Sequence, residues 1–455
     1  HQFALKDPTM KNIKIALWGI PASLTVLWLA ASLPLPDTLS PIAVRNLLVQ
    51  YSGVLSLGAM SIVMLLATRA KWIEPWLNGL DKSYRLHKWL GILVLVTAVV
   101  HWLASNAPKW AVSLGLMEAP ERGEPSGAIP DVGAIQAFFN SQRGLAETLG
   151  DLPFKIMVIL IIIALVKRIP YKFFANTHTL LAVAYLAFVF HGVVLMDFAA
   201  WTQPLGIVVV LLMVGGVISA VMTLTRQIGR RNTVSGKVES IRTFAELDAT
   251  AVTIAMEDGW KGHDAGQFAF VSFDRKEGKH PFTIASAWDP AAGRISVISK
   301  ALGDYTKFLP DRLKTGGEVI VEGPYGRFTF DDAKTRQVWI GGGVGITPFI
   351  AKMKELAATP DTKTVDLIHS TKDFSAEAVE MLKADAKAAG ITIHILVDDR
   401  DGFLDGARLR DLVPDWKSAS VWFCGPAGFG QALRSDLLAN GLVVEDFHQE
   451  LFEMR

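Results

Sequence analysis

The sequence predicts a chain in two parts: six membrane-spanning helices, then a soluble module made of an antiparallel β-barrel and an α/β domain. Three observations predict it. Apolar residues are 51% of the 455 and concentrate before about position 226. Basic residues recur in alternate connections between the apolar runs. Beyond Thr233, short β segments separated by turn residues give way to strand–helix alternation. Length alone allows two to four domains. A net charge of +1 carries no field that would draw nucleic acid. The lone cysteine, Cys424, excludes an internal disulfide framework and a cysteine metal cage. Residues 1–9 precede Met10 and read as an expression remnant, and the apolar stretch after Lys14 has no signal-peptide cleavage site.

A bilayer-crossing helix needs about 20 mostly apolar residues. Six segments come close: 14–33, 43–68, 84–106, 154–168, 173–197 and 202–225. The fourth is short and bracketed by Pro153 and Pro170. Direction follows from the basic residues. The leading end carries Lys11 and Lys14, and the second connection Arg69, Lys71 and Lys82. The fourth connection carries Lys167, Arg168 and Lys172, and the exit Arg226, Arg230 and Arg231. The first and fifth connections have none, and the third, 107–153, mixes basic residues with more acidic ones. Both ends are therefore expected on the cytoplasmic side of an integral membrane domain spanning 10–228. A soluble helical core does not alternate charge in this way.

Polar residues inside spans are costly, so four intramembrane histidines stand out. His87 and His101 lie on the third span, His178 and His191 on the fifth. One such histidine alone is more often a packed residue than a ligand; two pairs on two helices shift that balance. Neutral imidazole suits iron, and a haem iron can take one histidine from each of two facing helices. Fourteen residues from His87 to His101 rise about 21 Å, enough to stack two porphyrins across a layer of about 30 Å. At about 100° per residue, fourteen steps return within about 40° of one face, but the thirteen from His178 to His191 miss by about 140°. The fifth helix is then kinked or locally rewound, or the haems are offset. Both spans start on the cytoplasmic side, so His87 is expected to pair with His178 and His101 with His191. No carboxylate or cysteine accompanies them for a di-iron or zinc site.

This H-x13-H and H-x12-H arrangement resembles the ferric reductase and NADPH oxidase superfamily, and the 13/12 pairing looks more like the oxidases, here of a bacterial kind. The soluble half carries the resemblance further. Expected strands are Gly236–Ile241, Ala251–Met256, Phe268–Phe273, Ile295–Ser299 and Glu318–Glu322. Among them His280-Pro281-Phe282-Thr283-Ile284-Ala285-Ser286 resembles the flavin signature of ferredoxin-reductase-type barrels. The resemblance implies that Thr283 bonds the isoalloxazine edge and that Ile284–Ser286 line the flavin. Ser299-Lys300-Ala301-Leu302-Gly303-Asp304-Tyr305-Thr306 resembles the segment on the pyrophosphate side, where a cation and small residues meet phosphate.

Gly323-Pro324-Tyr325-Gly326 ends the barrel, which the resemblance makes an FAD-binding domain over 229–332. Strand Gln337–Ile340 then runs into Gly341-Gly342-Gly343-Val344-Gly345-Ile346-Thr347-Pro348 and a helix. Such a turn brings backbone N–H groups and a helix N-terminus against a dinucleotide, although this is not the ordinary G-x-G-x-x-G spacing. It matches the nicotinamide loop of the same reductases. Strands near Val365–His369, Thr392–Val397 and Ser420–Phe423 complete an α/β nucleotide-binding domain over 333–455. The last leads into Cys424-Gly425-Pro426, where the resemblance places the cysteine beside the nicotinamide ring. Phe447-His448-Gln449-Glu450-Leu451-Phe452 resembles the oxidases' terminal F-H-x-E-x-F, whose last aromatic shields the flavin; here Glu453-Met454-Arg455 follow Phe452.

The architecture implied is an all-α six-helix haem domain in the membrane joined to a cytoplasmic ferredoxin-reductase-like module. The implied cofactors are FAD, two b-type haems and NADPH or NADH. The implied route runs from nicotinamide through FAD and the inner and outer haems to an external small-molecule acceptor, oxygen or a ferric chelate, or to a quinone or partner protein. Oxygen reduction to superoxide needs a cation or hydrogen-bond donor at the outer haem edge, for which Arg45 is the candidate. Where the oxidases often carry a further histidine one turn beyond the outer ligand, this chain has Ser105. A metal reductase would show external ligands, and the third connection offers Glu118, Glu121, Glu124 and Asp131 but no histidine. Ser370-Thr371-Lys372 after the second nucleotide-domain strand suit a 2′-phosphate and hence NADPH, and Asp373 beside them would favour NADH if it faced the ribose.

Overall fold

The computed structural model describes residues 11–118, 133–166, 168–274, 277–301 and 303–450. They form two compact units, one of Ile13–Ala70 with Ser83–Ile228, the other of Lys71–Lys82 with the chain from Gly229 onward.

The first unit is built of α1 (Lys11–Ala31), α2 (Pro41–Ala67), α3 (Leu80–Ser113, its first turn in the other unit), α4 (Ala134–Leu165), α5 (Tyr171–His178), α6 (Leu181–Leu195) and α7 (Pro204–Leu224). Counting 172–195 as one span, six helices are long and apolar enough to cross a membrane, and the chain is an integral membrane protein. The start of α2 shows why its boundary falls where it does. The Ser40 hydroxyl accepts the Ala43 N–H, and Pro41 occupies the first turn, where no N–H is needed. The unit is apolar outside: Trp18, Leu211 and Val26 are 70%, 67% and 65% exposed, a surface suited to lipid and not to water. Polar groups that do lie inside it are paired. Ser56 donates to Thr97 at 2.8 Å, and the Ser61 and Tyr185 hydroxyls meet at 2.8 Å, so these buried hydroxyls satisfy one another across helices.

Two spans depart from expectation. The third runs on to Ser113, and the fourth begins at Ala134 with Pro153 inside it instead of at its edge. The connection read as 107–153 is therefore largely helix. Apolarity marks only the part of a helix that lipid covers; here exposed turns continue, with i,i+4 pairs Arg143–Glu147 at 3.1 Å and Lys155–Asp151 at 2.6 Å along them. Glu121, Glu124, Asp131 and Lys167 lie outside the described residues.

The fifth span settles the phase question in favour of local rewinding. Between α5 and α6 the bonds shorten to i→i+3: Leu180 to Thr177, Ala182 to Thr179 and Val183 to Leu180, at 3.0–3.1 Å. A 3₁₀ turn advances about 120° per residue instead of about 100°, which recovers part of the missing rotation. The cause is local. Thr177 and Thr179 bond back to the Phe173 and Ala175 carbonyls and compete with the regular ladder.

The second unit opens with a six-stranded antiparallel sheet: β1 (Thr233–Phe244), β2 (Ala249–Met256), β3 (Phe268–Ser272), β4 (His280–Thr283), β5 (Arg294–Lys300) and β6 (Glu318–Tyr325), in the order β4-β3-β6-β1-β2-β5. An Ile284–Val297 bridge joins the two edges into a barrel. Beyond it lies a five-stranded parallel sheet of β7 (Arg336–Gly342), β8 (Thr364–Thr371), β9 (Thr392–Val397), β10 (Ser420–Cys424) and β11 (Phe447–Gln449). Its order is β11-β10-β7-β8-β9. Helices α8 (Thr347–Ala358), α9 (Ala376–Ala389) and α10 (Ala427–Ala439) cross between its strands. Trp339 and Phe349 are fully buried against Phe330, each such ring contributing about 2–3 kcal/mol by burial. Two strands were not anticipated. β4 coincides with the flavin-like motif, and β11 with the terminal one.

Candidate functional site

Both expected histidine pairs meet. The rings of His87 and His178 have centroids 6.0 Å apart, as do those of His101 and His191. A metal held between two imidazoles, with bonds of about 2 Å, sets the centroids on the order of 6 Å apart. Helix α2 fixes one member of each pair. The Nδ1 of His87 lies 3.0 Å from the Val63 carbonyl, and that of His101 lies 3.0 Å from the Val49 carbonyl. Those carbonyls are 14 residues apart on α2, as the histidines are on α3, so one antiparallel register serves both. His191 Nδ1 sits 2.8 Å from the Ala146 carbonyl on α4. A carbonyl only accepts, so each of these three Nδ1 atoms carries the proton and Nε2 keeps its lone pair, the tautomer a metal requires. His178 Nδ1 is buried with no hydrogen-bond partner among the described residues. No group of three or more His, Cys, Asp or Glu gathers among the described residues to hold any other metal.

The surroundings of the His101/His191 pair are tight. Gly150 faces His191 so closely that a Cβ there would lie 2.4 Å from Nδ1. Ser52 places its hydroxyl 3.3 Å from His101 Nδ1. Arg45 donates from Nε to the Ala104 carbonyl at 3.3 Å, and from its two terminal nitrogens to Ser105 O at 3.1 Å and Asn46 Oδ1 at 2.9 Å. Ser105 in turn donates to the His101 carbonyl at 2.7 Å. The guanidinium thus holds the turn that follows His101.

In the soluble unit the flavin-like motif forms the barrel seam. Pro281, lacking an N–H, is tolerated because β4 is an edge strand, paired to β3 as Pro281–Phe270 and Thr283–Phe268. Past Thr283 the chain crosses to β5. Ala285 donates to Ser296 O at 2.7 Å, and the Ser286 hydroxyl accepts the Ser296 N–H at 3.0 Å. His263, which the sequence reading overlooked, holds the Ser286 carbonyl at 2.8 Å. His280 stacks on Tyr305 with ring centroids 3.7 Å apart, joining the motif to the 299–306 segment. In that segment Thr306 caps the Gly303 N–H at 3.1 Å. The Ser299 hydroxyl is buried, on the same face of β5 as Ile295 and Val297, and has no hydrogen-bond partner among the described residues. Lys300 points elsewhere, its ammonium 2.5 Å from Asp373 Oδ2.

The strand order of the parallel sheet reverses between β7 and β10, and ligands of such sheets bind in the crevice at the carboxyl ends flanking that switch. Register brings Cys424 beside Gly341, and His369 and Ser370 beside Gly341 and Gly342. The loop Gly341–Ile346 fits there because Gly345 passes over the Cys424 carbonyl, where a Cβ would lie only 2.2 Å away. Thr347 donates to Val344 O at 2.7 Å, and Pro348 stands in the first turn of α8. Gly425 packs on Gly342, and Pro426 contacts it too. Cys424 is fully buried, and burial pushes its thiol well above the ordinary range, so it packs as an apolar surface and not as a thiolate. Glu450, which follows β11, is also buried, and burial pushes its carboxyl well above the usual carboxylate range. His369 donates from Nδ1 to the Gly341 carbonyl at 3.0 Å, and burial lowers its pKa to about 4, so it is neutral. Ser370 reaches Asp398 at 3.5 Å, Thr371 caps its own turn at Asp373, and Lys372 is exposed. Phe452 lies outside the described residues.

Comparison with known proteins agrees with both halves. Residues 52–189 match the family described as ferric reductase like transmembrane component, and residues 243–329 match an FAD-binding domain. The flavohemoprotein of Oceanobacillus iheyensis is 27% identical over 174 residues, covering 35% of this chain and 43% of that protein. The glycine betaine monooxygenase reductase subunit of Chromohalobacter salexigens is 26% identical over 206 residues, covering 41% of this chain and 55% of that protein. The chain thus spans about half the length of these curated relatives. Among solved structures, the ferredoxin reductase in carbazole 1,9a-dioxygenase aligns over 48% of this chain and 69% of its own, at 19% identity and a TM-score of 0.42. The flavohemoglobin from Malassezia yamatoensis aligns over 90% and 98%, at 18% identity and a TM-score of 0.45.

Proposed function

From a chain with the architecture of the NADPH oxidase/ferric reductase superfamily, a ferric reductase like transmembrane component joined to an FAD-binding domain, we propose an NADPH oxidase that carries electrons across the membrane. It oxidises NADPH on the cytoplasmic side and passes single electrons by the His87/His178 pair and then the His101/His191 pair to oxygen outside. Each NADPH yields two electrons, two superoxide ions and one proton. The observation that supports this best is the pair of facing imidazole couples, three of whose four Nδ1 protons are held by backbone carbonyls. When bound, FAD supplies the conversion of a two-electron hydride into single electrons, and two b-type haems carry them one at a time.

The chain's own residues position and exclude. The four histidines would hold the two haem irons, one pair to each. Thr283 and the seam Ile284–Ser286 hold the flavin edge, while Ser299, Gly303 and Thr306 receive its pyrophosphate. Gly341–Pro348 would cradle the nicotinamide dinucleotide and Cys424 would pack beside its ring, while the resemblance gives Phe452 the part of shielding the flavin. Both ends and the soluble unit are on the cytoplasmic side of a bacterial inner membrane, following the basic connections. Thr283→Ala is expected to weaken FAD retention by about 2- to 10-fold, as loss of one hydrogen bond does, with the haem spectrum intact. Flavin retained unchanged on dilution would remove that role.

A second reading has an observation of its own. The Arg45 donors are committed to Ala104, Ser105 and Asn46, so the hydrogen bonds that would steady a developing superoxide beside His101 are already spent within the protein; reduction of a ferric chelate needs none there. Superoxide formation and ferric-chelate reduction measured on one purified, flavin-loaded sample separate the two. Superoxide dominant at saturating chelate supports the oxidase; ferrous product with superoxide at background replaces it with a metalloreductase.

A further inference from the structure

The chain between β2 and β3, residues 257–267, meets the barrel seam twice. The Gln267 carbonyl accepts the Ile284 N–H at 3.0 Å, and His263 Nε2 lies 2.8 Å from the Ser286 carbonyl. β5 holds the same stretch through the Ala285 N–H and the Ser286 hydroxyl. Of these four bonds, the one from His263 is made by a side chain outside the seam. The loop is shaped to deliver that ring. Gln267 accepts the Asp264 N–H at 2.9 Å and donates to the Gly326 carbonyl at 3.2 Å, which ties the residue after His263 to the end of the barrel. Gly262, at φ +96°, turns the chain where a Cβ would come within 2.7 Å of Trp288 Cδ1. The imidazole lies beside Trp260 and Trp288, with ring centroids 6.3 and 5.8 Å away. A carbonyl only accepts, so Nε2 carries the proton and Nδ1 keeps a lone pair. Nδ1 is buried with no hydrogen-bond partner among the described residues. Packing against two indoles asks for no nitrogen here, and a buried polar atom without a partner is a cost. The cost is carried for the bond to Ser286.

Resting on the flavin reading of the barrel given above, we propose that His263 is a positioning residue for the flavin, which fixes the seam Ile284–Ser286 through the Ser286 carbonyl. It acts through Ser286 and is not a catalytic residue. Burial lowers its pKa below the ordinary value, against the pull of Asp264 and of Glu355 on α8, so near neutral pH the ring brings no charge to the seam. Without the Nε2 bond the Ser286 carbonyl is left unpaired at the edge of the barrel core. It then turns to find another donor, and the backbone that carries it shifts against the flavin edge.

The test uses the full chain in detergent and compares His263→Gln, His263→Asn and His263→Ala. The amide nitrogen of Gln reaches about as far along its side chain as Nε2 does, whereas that of Asn reaches only as far as Nδ1; the two amides are otherwise alike. Each variant is read by its dissociation constant for FAD from flavin fluorescence, by its melting temperature, and by KM and kcat for NADPH with FAD in excess. His263→Ala and His263→Asn are expected to weaken FAD binding by about 3- to 10-fold, and His263→Gln to stay within about twofold of the parent. With FAD in excess the first two should lose kcat at unchanged KM, since the nucleotide's own contacts are intact. The inference is overturned if all three variants bind FAD as the parent does. It is equally overturned if His263→Gln loses FAD, or its fold, as His263→Ala and His263→Asn do, which would make the imidazole a packing element beside Trp260 and Trp288. A parent chain that retains no FAD overturns the functional reading instead and is seen before any variant is made.

Discussion

Replacing His87 or His178 by Ala is expected to remove the inner haem, and replacing His101 or His191 the outer, so that pyridine haemochrome assays fall from two haems per chain to one. Each ring pair is 6.0 Å across, a gap that one imidazole cannot close on its own metal. The effect should not be equal within the His87/His178 pair. His87, His101 and His191 are held by backbone carbonyls at 2.8–3.0 Å, so each ring is oriented before a metal arrives. His178 Nδ1 has no such partner among the described residues, so its ring depends on packing and on the metal itself. Outer-shell anchors of this kind typically change metal affinity 10- to 100-fold. His178→Ala therefore costs the inner site a less ordered ligand than His87→Ala does. Two haems per chain in all four variants would end the assignment.

How much of this was legible follows from the range over which each interaction acts. The spans and their alternating charge are local signals, and so is the spacing of His87 and His101. The 140° mismatch on the fifth span was visible as a problem, and Thr177 and Thr179 were there to suggest its cause, but which remedy the chain adopts depends on hydrogen bonds that periodicity does not encode. The extensions of α3 and α4 escaped because apolar content marks where lipid ends, not where a helix ends. β4 hid behind Pro281, which a central strand would reject and an edge strand accepts. β11 hid because three residues, Phe447–Gln449, carry too little pattern to announce a strand. In the site, the glycine loop and the terminal motifs were legible as residue strings. The Lys300–Asp373 pair, the His263 support of Ser286 and the carbonyl anchors of the histidines were not. Each joins residues more than twenty positions apart, and only the assembled sheet or bundle brings them together.

Gly150→Ala is expected to abolish the outer haem as completely as removal of His191, although no ligand is changed. The added methyl carbon would lie 2.4 Å from His191 Nδ1 and 2.5 Å from Cε1, well inside contact distance. The ring must leave, and with it goes the 2.8 Å bond to Ala146 that fixes its tautomer. Ala is favoured over Gly within a helix by about 0.5–1 kcal/mol, and overpacking costs about 1–3 kcal/mol, so a melting temperature near the parent's beside the lost haem separates displacement of the ring from unfolding. Gly144 supplies the control. It lies on the same helix, and a Cβ there meets nothing within 4 Å. Gly144→Ala should therefore keep both haems and melt no lower than the parent. Haem content near one per chain for Gly150→Ala, beside two for Gly144→Ala, would place the requirement on the space the His191 ring occupies. Two haems in both variants would mean that the ring finds another rotamer from which it still ligates, and that the close approach of α4 does not set the outer site.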